Sequence, residues 1–336
     1  MKRKIYLDNL RWFVVILVLI YHVCYIFNVI FGIPNAKNIE FFDGFMYIVY
    51  PWFMVLLFVV AGMSARYSLQ KRSNKEFLKE RVTKLLVPST LLFVLHWISG
   101  YINIKMLLSQ IPTFLIYPIS ALSIPLWFIQ MLFIFSVAIV LLKKSDKSDF
   151  LWKLKSDVFV IFLLFFVIWG AQINMPVVTM YRFIYFVAFL IGYYIFSHEK
   201  VEKILEKISI PTSILAIILS VFYVYFYFKN FTESEILQNF ATNLYCWITV
   251  IAMIIFKKYF NLENSFTKHM TKTSFGIYIL HYFVLVIVYV LVNYFDLPAI
   301  WNYFLAFVLI FATFGLLEII SKIPIIRYLV LGIKKK

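Results

Sequence analysis

Ten long apolar stretches recur along this chain, at about 12–32, 44–63, 86–104, 124–142, 157–173, 180–197, 211–229, 240–258, 274–293 and 299–320. Each has roughly the 17–25 residues needed to cross the hydrocarbon of a bilayer. A backbone in hydrocarbon must satisfy its own hydrogen bonds, so such stretches fold as helices or as strands of a closed barrel. Runs such as FVVILVLIY and VLIFATFGLL lack the in–out alternation of a barrel strand. The chain is 63% hydrophobic with a mean hydropathy of +0.90, and its charged fraction of 14% is about half that of a soluble domain. It has 38 Phe and 23 Tyr but only 9 Gly, which excludes an enzyme built on glycine-rich nucleotide loops. The expected fold class is therefore all-α: a polytopic membrane bundle of ten spans, forming a single domain over residues 1–336. The hydrophilic loops, about 20 residues at most, leave no room for a second globular unit. The fifth and sixth spans are separated only by AQINMPVVT, and the proline-interrupted TFLIYPISALSIP reads as an outer-surface segment leading into the fourth.

The net charge of +16 invites a nucleic-acid reading, but the placement of the charges argues against one. With the N-terminus inside, 28 of the 32 Lys and Arg fall on cytoplasmic segments; Lys37, Lys105, Arg182 and Lys229 are the four on the outer side. That split is the positive-inside rule, and it puts both termini in the cytoplasm. MKRK reads as the flank of a retained anchor, since the apolar run behind it is too long for a signal-peptide core. Cys24 and Cys246 fall within spans and read as small packing residues, giving no thiolate metal site.

The first span carries the chemistry. Arg11 and His22 are eleven positions apart, which on a helix leaves them about 20° apart in angle and about 16 Å apart in depth. Asp8 lies one turn before Arg11, within reach of its guanidinium. An ionisable residue as deep as His22 normally faces the bundle interior and marks a functional site. His281, in SFGIYILHYFVLV, repeats the pattern in the ninth span with Tyr278 three residues earlier. Two histidines fall short of the three or four protein ligands usual for zinc, so no metal is expected. A histidine that accepts a proton from a hydroxyl during group transfer needs no metal.

In this order, LDNLR followed by His22, LLFVVAG ending in Ala61-Gly62, KEFLKERVTKLLVPS, PLWFIQMLF and IYILH make the chain resemble membrane-bound acyltransferase family 3. These are O-acyltransferases of about ten spans that modify cell-surface glycans and other acceptors. The resemblance runs over residues 7 to 281. Ala61-Gly62 stands where the family usually has Ser-Gly, which removes a hydroxyl but keeps close helix approach and looks like the branch of glucan-modifying succinyl and acetyl transferases. Lys84 stands where the family's basic motif has its second arginine; it offers a point charge in place of a planar fork.

The resemblance implies His22 as the catalytic base; on the reading of the residues, His281 or Tyr278 holds its ring or stabilises the oxyanion. It implies Arg11, Arg81 and Lys84 as the site for acyl-CoA, most simply acetyl-CoA, as cytoplasmic co-substrate with no permanently bound cofactor. Arg66 and Arg72 are candidate helpers. Trp127 and Arg182 are candidate acceptor contacts. Tyr181 and Tyr193 are weaker candidates against the background of interfacial aromatics, and His96, His198 and His269 lack comparable context. The implied partners are membrane lipids and a glycan or lipid-linked glycan acceptor, with no nucleic acid and no defined oligomeric state, in a bacterial cytoplasmic membrane. A transporter or permease for a lipid-linked glycan or small solute is the alternative; it explains the spans but not the basic segment placed just before Pro88.

Overall fold

The computed structural model describes residues 4–27, 39–90, 127–146, 150–151, 174–175, 178–182, 184–228, 235–295 and 297–331. Among these, α1 spans Ile5–Ile26, α2 Glu40–Val49, α3 Phe53–Leu69 and α4 Asn74–Arg81, followed by a π-helical turn over Val82–Leu86. Then come α5 (Trp127–Ser145), a hairpin of β1 (Asn174–Met175) and β2 (Val178–Arg182), α6 (Ile184–Tyr194), α7 (Glu199–Lys207) and α8 (Ser209–Phe228). The remainder is α9 (Glu235–Ile255), α10 (Lys257–Phe260), α11 (Ser265–Tyr294), α12 (Ala299–Ser321) and α13 (Pro324–Leu331).

The described residues form a helical membrane bundle. Five helices are long and apolar enough to cross a bilayer, or six if the bent α11 counts as one span. The expected third and fifth spans lie largely outside the described residues. The sixth begins later than the hydropathy indicates. Residues 178–182 pair antiparallel with 174–175, and the apolar helix that follows has only 11 residues. The helix of the first span begins earlier, at Ile5, so Asp8 and Arg11 are helical residues.

The second span runs from Glu40 to Leu69 with a break at Tyr50–Trp52. Pro51 has no N–H to give the ladder. At this break the Ile48 carbonyl takes two side-chain donors, Trp52 Nε1 at 2.8 Å and the Tyr245 hydroxyl at 2.7 Å. A second irregularity precedes Pro88. Here the ladder widens to π geometry, Val87 N–H bonding the Val82 carbonyl. The preceding α4 is fixed by a capping box, as its SNKE sequence dictates: Ser73 Oγ accepts from Glu76 N–H at 3.3 Å, and Glu76 accepts from Ser73 N–H at 2.9 Å.

Among the described residues, α3 and α6 pack in intimate contact. A Cβ added at Gly62 would lie 2.0 Å from the Phe189 carbonyl oxygen, and one at Gly192 would lie 2.1 Å from that of Val59. In a bilayer, helix association depends on such intimate contact, because lipid tails are as apolar as the side chains themselves. Next to this crossing, α1 is enclosed by α2, α3, α11 and α12. Its base is stapled by Asn9, whose amide donates to the carbonyls of Phe260 and Leu262 while its oxygen accepts from Trp12 Nε1. By contrast, α8 and α12 turn rows of Ile, Val and Phe outward, as faces toward lipid do.

Candidate active site

His22 and His281 meet inside the bundle, their ring centroids 4.9 Å apart. Each imidazole is tied to its own helix. His22 Nδ1 lies 2.8 Å from the Val18 carbonyl, and His281 Nδ1 bonds the Tyr278 carbonyl. A carbonyl only accepts, so both Nδ1 atoms carry the proton and both Nε2 atoms present lone pairs. His281 is fully buried and its Nε2 meets no partner among the described residues. His22 is half-buried, the more accessible of the two.

The helix bends beside His281: the Nδ1 partner is the carbonyl that a regular ladder offers to residue 282, and the segments Ser265–His281 and Phe283–Val292 meet at 46°. A side chain inserted into the ladder is a sufficient cause for such a bend where no proline stands nearby. Tyr278 contributes its backbone oxygen to the site; its ring lies tilted at 5.3 Å from His281 and edge-on at 5.7 Å from Phe128. Trp127 sits one layer out, half-buried against Phe58 at 6.0 Å and Tyr185 at 5.1 Å. The fold thus places Trp127 beyond Phe128 and Tyr278 on the way to the histidine pair.

A second constellation gathers at the basic end of α1. Arg11 Nη1 pairs with Asp8 at 3.0 Å, and its Nη2 donates to Ser64 Oγ at 2.9 Å. Ser64 in turn donates to the Val60 carbonyl at 2.8 Å, so the guanidinium is oriented from both sides. Glu80 bridges Arg72 and Lys84, the latter at 2.6 Å. The Arg81 guanidinium lies over the Phe77 ring at 4.7 Å, and its Nε meets no partner among the described residues. Burial, reinforced by Arg11 and Arg72, pushes the Arg81 pKa down to about 10. Lys84 is pushed down by burial first and then by Arg72, Arg81 and Arg11. A lowered pKa on a base means that its charged form is disfavoured in the fold, and a bound anion would relieve that penalty. Arg81 stays cationic at neutral pH.

Other candidates fall elsewhere. Arg182 closes β2, its backbone register paired with Asn174, and its side chain lies outside the described residues together with that of Tyr181. Tyr193 is fully buried under the Arg66 guanidinium at 5.4 Å, which removes it as a stacking platform. His198 caps α7, and His269 lies 3.7 Å from Glu318. His96 lies outside the described residues. Cys24 and Cys246 are free and buried. Sequence reasoning passed over Ser64, Glu80, the buried Asp43 and Gln130. Gln130 had a visible signal, a carboxamide inside an otherwise apolar run; Ser64 had none, because its role depends on a helix fifty residues away.

A family model described as an acyltransferase domain, of the acyltransferase 3 type, matches residues 4–319. The chain belongs to that family. No match was found among curated proteins or among solved structures. Membership of the acyltransferase 3 family supports an acyltransferase activity for this membrane protein. The histidine pair and the basic cluster both lie within the residues matched.

Proposed function

We propose that the protein moves an acyl group, acetyl or alternatively succinyl, from cytoplasmic acyl-CoA to a hydroxyl of a cell-surface or lipid-linked glycan. The observation that carries this reading is the pair of facing imidazoles whose Nδ1–H groups are already committed to backbone carbonyls. Such rings arrive pre-oriented as proton acceptors. In the proposed step His22 Nε2 takes the proton of the acceptor hydroxyl, whose oxygen attacks the thioester carbonyl carbon. The carbon–sulfur bond then breaks, and the departing thiolate takes the proton back from His22. His281 Nε2, a second acceptor, receives a hydrogen bond from His22 while that ring is protonated. With its Nδ1–H occupied, neutral His281 has no donor for an oxyanion. Trp127 and Arg182 remain the proposed acceptor contacts. Transfer of labelled acetyl from acetyl-CoA to surface glycan, followed by mass spectrometry of the glycan with and without this chain, tests the reading.

Arg11, Arg81 and Lys84 are the proposed donor site, where basic side chains would hold the phosphates of coenzyme A. Each charge-assisted contact is worth about 1.5–3 kcal/mol. Arg81→Ala is therefore expected to weaken coenzyme A binding by about tenfold to a hundredfold. Lys84→Arg is expected to preserve it, because the fork that replaces the ammonium still serves phosphate. Calorimetry on detergent-purified protein checks both, and an unchanged dissociation constant for Arg81→Ala removes that residue from the site.

The ten-span topology, with both termini cytoplasmic, is proposed from the 28-to-4 charge split. Single cysteines replacing Ser73 and Asn35 are expected to label from opposite faces of the membrane in intact cells. Labelling of both from outside overturns the orientation or the span count.

A further inference from the structure

Gln130 is 0% exposed, and among the described residues neither its carboxamide oxygen nor its nitrogen meets a hydrogen-bond partner. An amide enclosed without partners in a membrane interior is a strong disadvantage to the fold unless something else binds it. We propose that Gln130 binds an amide of the donor's pantetheine arm inside the bundle. This rests on the reading of the chain as an acyl-CoA-dependent transferase and assigns the part of the donor that the basic cluster cannot hold.

Position supports the assignment. Gln130 lies on α5, one turn and about 4.5 Å in depth beyond Trp127. Toward one end, α5 reaches the histidine pair through Phe128, whose ring is 5.7 Å from Tyr278, the residue whose carbonyl holds His281. Toward the other, α5 packs on α4 and on the π-helical turn, which carry Arg81 and Lys84. The same helix therefore borders both the place for the phosphates and the place for the thioester. The arm joining those two groups must cross the interval between them.

Chemistry narrows the ligand. The pantetheine arm is apolar except for its hydroxyl and two amides, and an amide taken into hydrocarbon needs both a donor and an acceptor. A primary carboxamide can donate to an amide carbonyl or accept from an amide N–H, so Gln130 pairs with one side of a trans pantetheine amide. The side chains three and four residues on from Gln130 along α5, Phe133 and Ile134, are apolar and packed against the core.

The test separates the arm from the phosphates. Binding of coenzyme A and of 3′,5′-ADP, which has the nucleotide end but no pantetheine, is measured on purified full-length protein and on Gln130→Met, which keeps the volume. Gln130→Met is expected to bind coenzyme A about tenfold more weakly while binding 3′,5′-ADP unchanged. Its ligand-free thermal midpoint is expected to hold or rise, since an unpartnered polar group has been removed. Arg81→Ala, in contrast, is expected to weaken both ligands. If Gln130→Met fails to fold, Gln130→Leu takes its place, with the same selective loss expected. Coenzyme A binding unchanged in a folded variant overturns the assignment. So does an equal loss of both ligands with a lowered midpoint, which makes Gln130 a packing residue. Wild-type protein that binds neither ligand sinks the donor reading itself, a failure distinct from that of Gln130.

Discussion

His22→Gln is expected to abolish acyl transfer while leaving donor binding and folding nearly intact. Glutamine has similar reach and keeps a polar end near the Val18 carbonyl, but it has no basic lone pair. The variant therefore removes proton transfer more than it disturbs packing. A positioned general base contributes about 10²–10⁴ in rate, and an interaction made only in the transition state lowers kcat without weakening donor binding. The measurement is the initial rate at saturating acetyl-CoA beside calorimetry on the same sample. His281→Gln is expected to slow transfer by less, because that ring acts through His22. Near-normal turnover by His22→Gln would pass the base assignment to His281, whose enclosed Nε2 is the other acceptor.

Gly192→Ala and Gly62→Ala are expected to cost most of the folded protein, though neither residue touches the histidines. The nearest atoms to the new methyl are backbone, 2.1 Å away at Gly192 and 2.0 Å at Gly62, so no side chain can swing aside. The helices α3 and α6 must separate, and inserting volume into a closed contact costs typically about 1–3 kcal/mol or more. Gly315 on α12 provides the control. A Cβ there meets nothing within 4 Å, and Gly315→Ala is expected to be neutral or slightly stabilising. Yield and monodispersity in detergent, with thermal midpoints, decide the matter. A Gly192→Ala protein with wild-type yield and midpoint would refute the crossing.

The separation of the two effects follows from the fold. Ala61-Gly62 announces close helix approach in the sequence, but its partner, Gly192, is 130 residues away and only the structure pairs them. The same holds for the basic end. Asp8 and Arg11 are legible together because helical periodicity places residues three apart side by side. The Ser64 hydroxyl on the far side of Arg11 is not.

What the sequence determined by itself were the properties set by local periodicity and by the solvent. Hydrocarbon compels helices, so apolar length marks the spans; charge asymmetry supplies the proposed topology; and the angle between positions 11 and 22 puts an arginine and a histidine on one face. It also supplied, through ordered motifs, the family that the match over residues 4–319 shows. What only the tertiary structure decided were the properties that join distant segments. It brought His22 and His281 to 4.9 Å, bent α11 beside His281, and turned Tyr193 inward under Arg66. It also replaced the start of the sixth span with a hairpin and left Gln130 enclosed without a partner. The physical reason is common to all of these. In lipid every long helix is apolar on most of its surface, so hydropathy says that a segment lies in the membrane but not which side faces a neighbour. That choice is made by a few small or polar residues whose partners lie elsewhere in the chain.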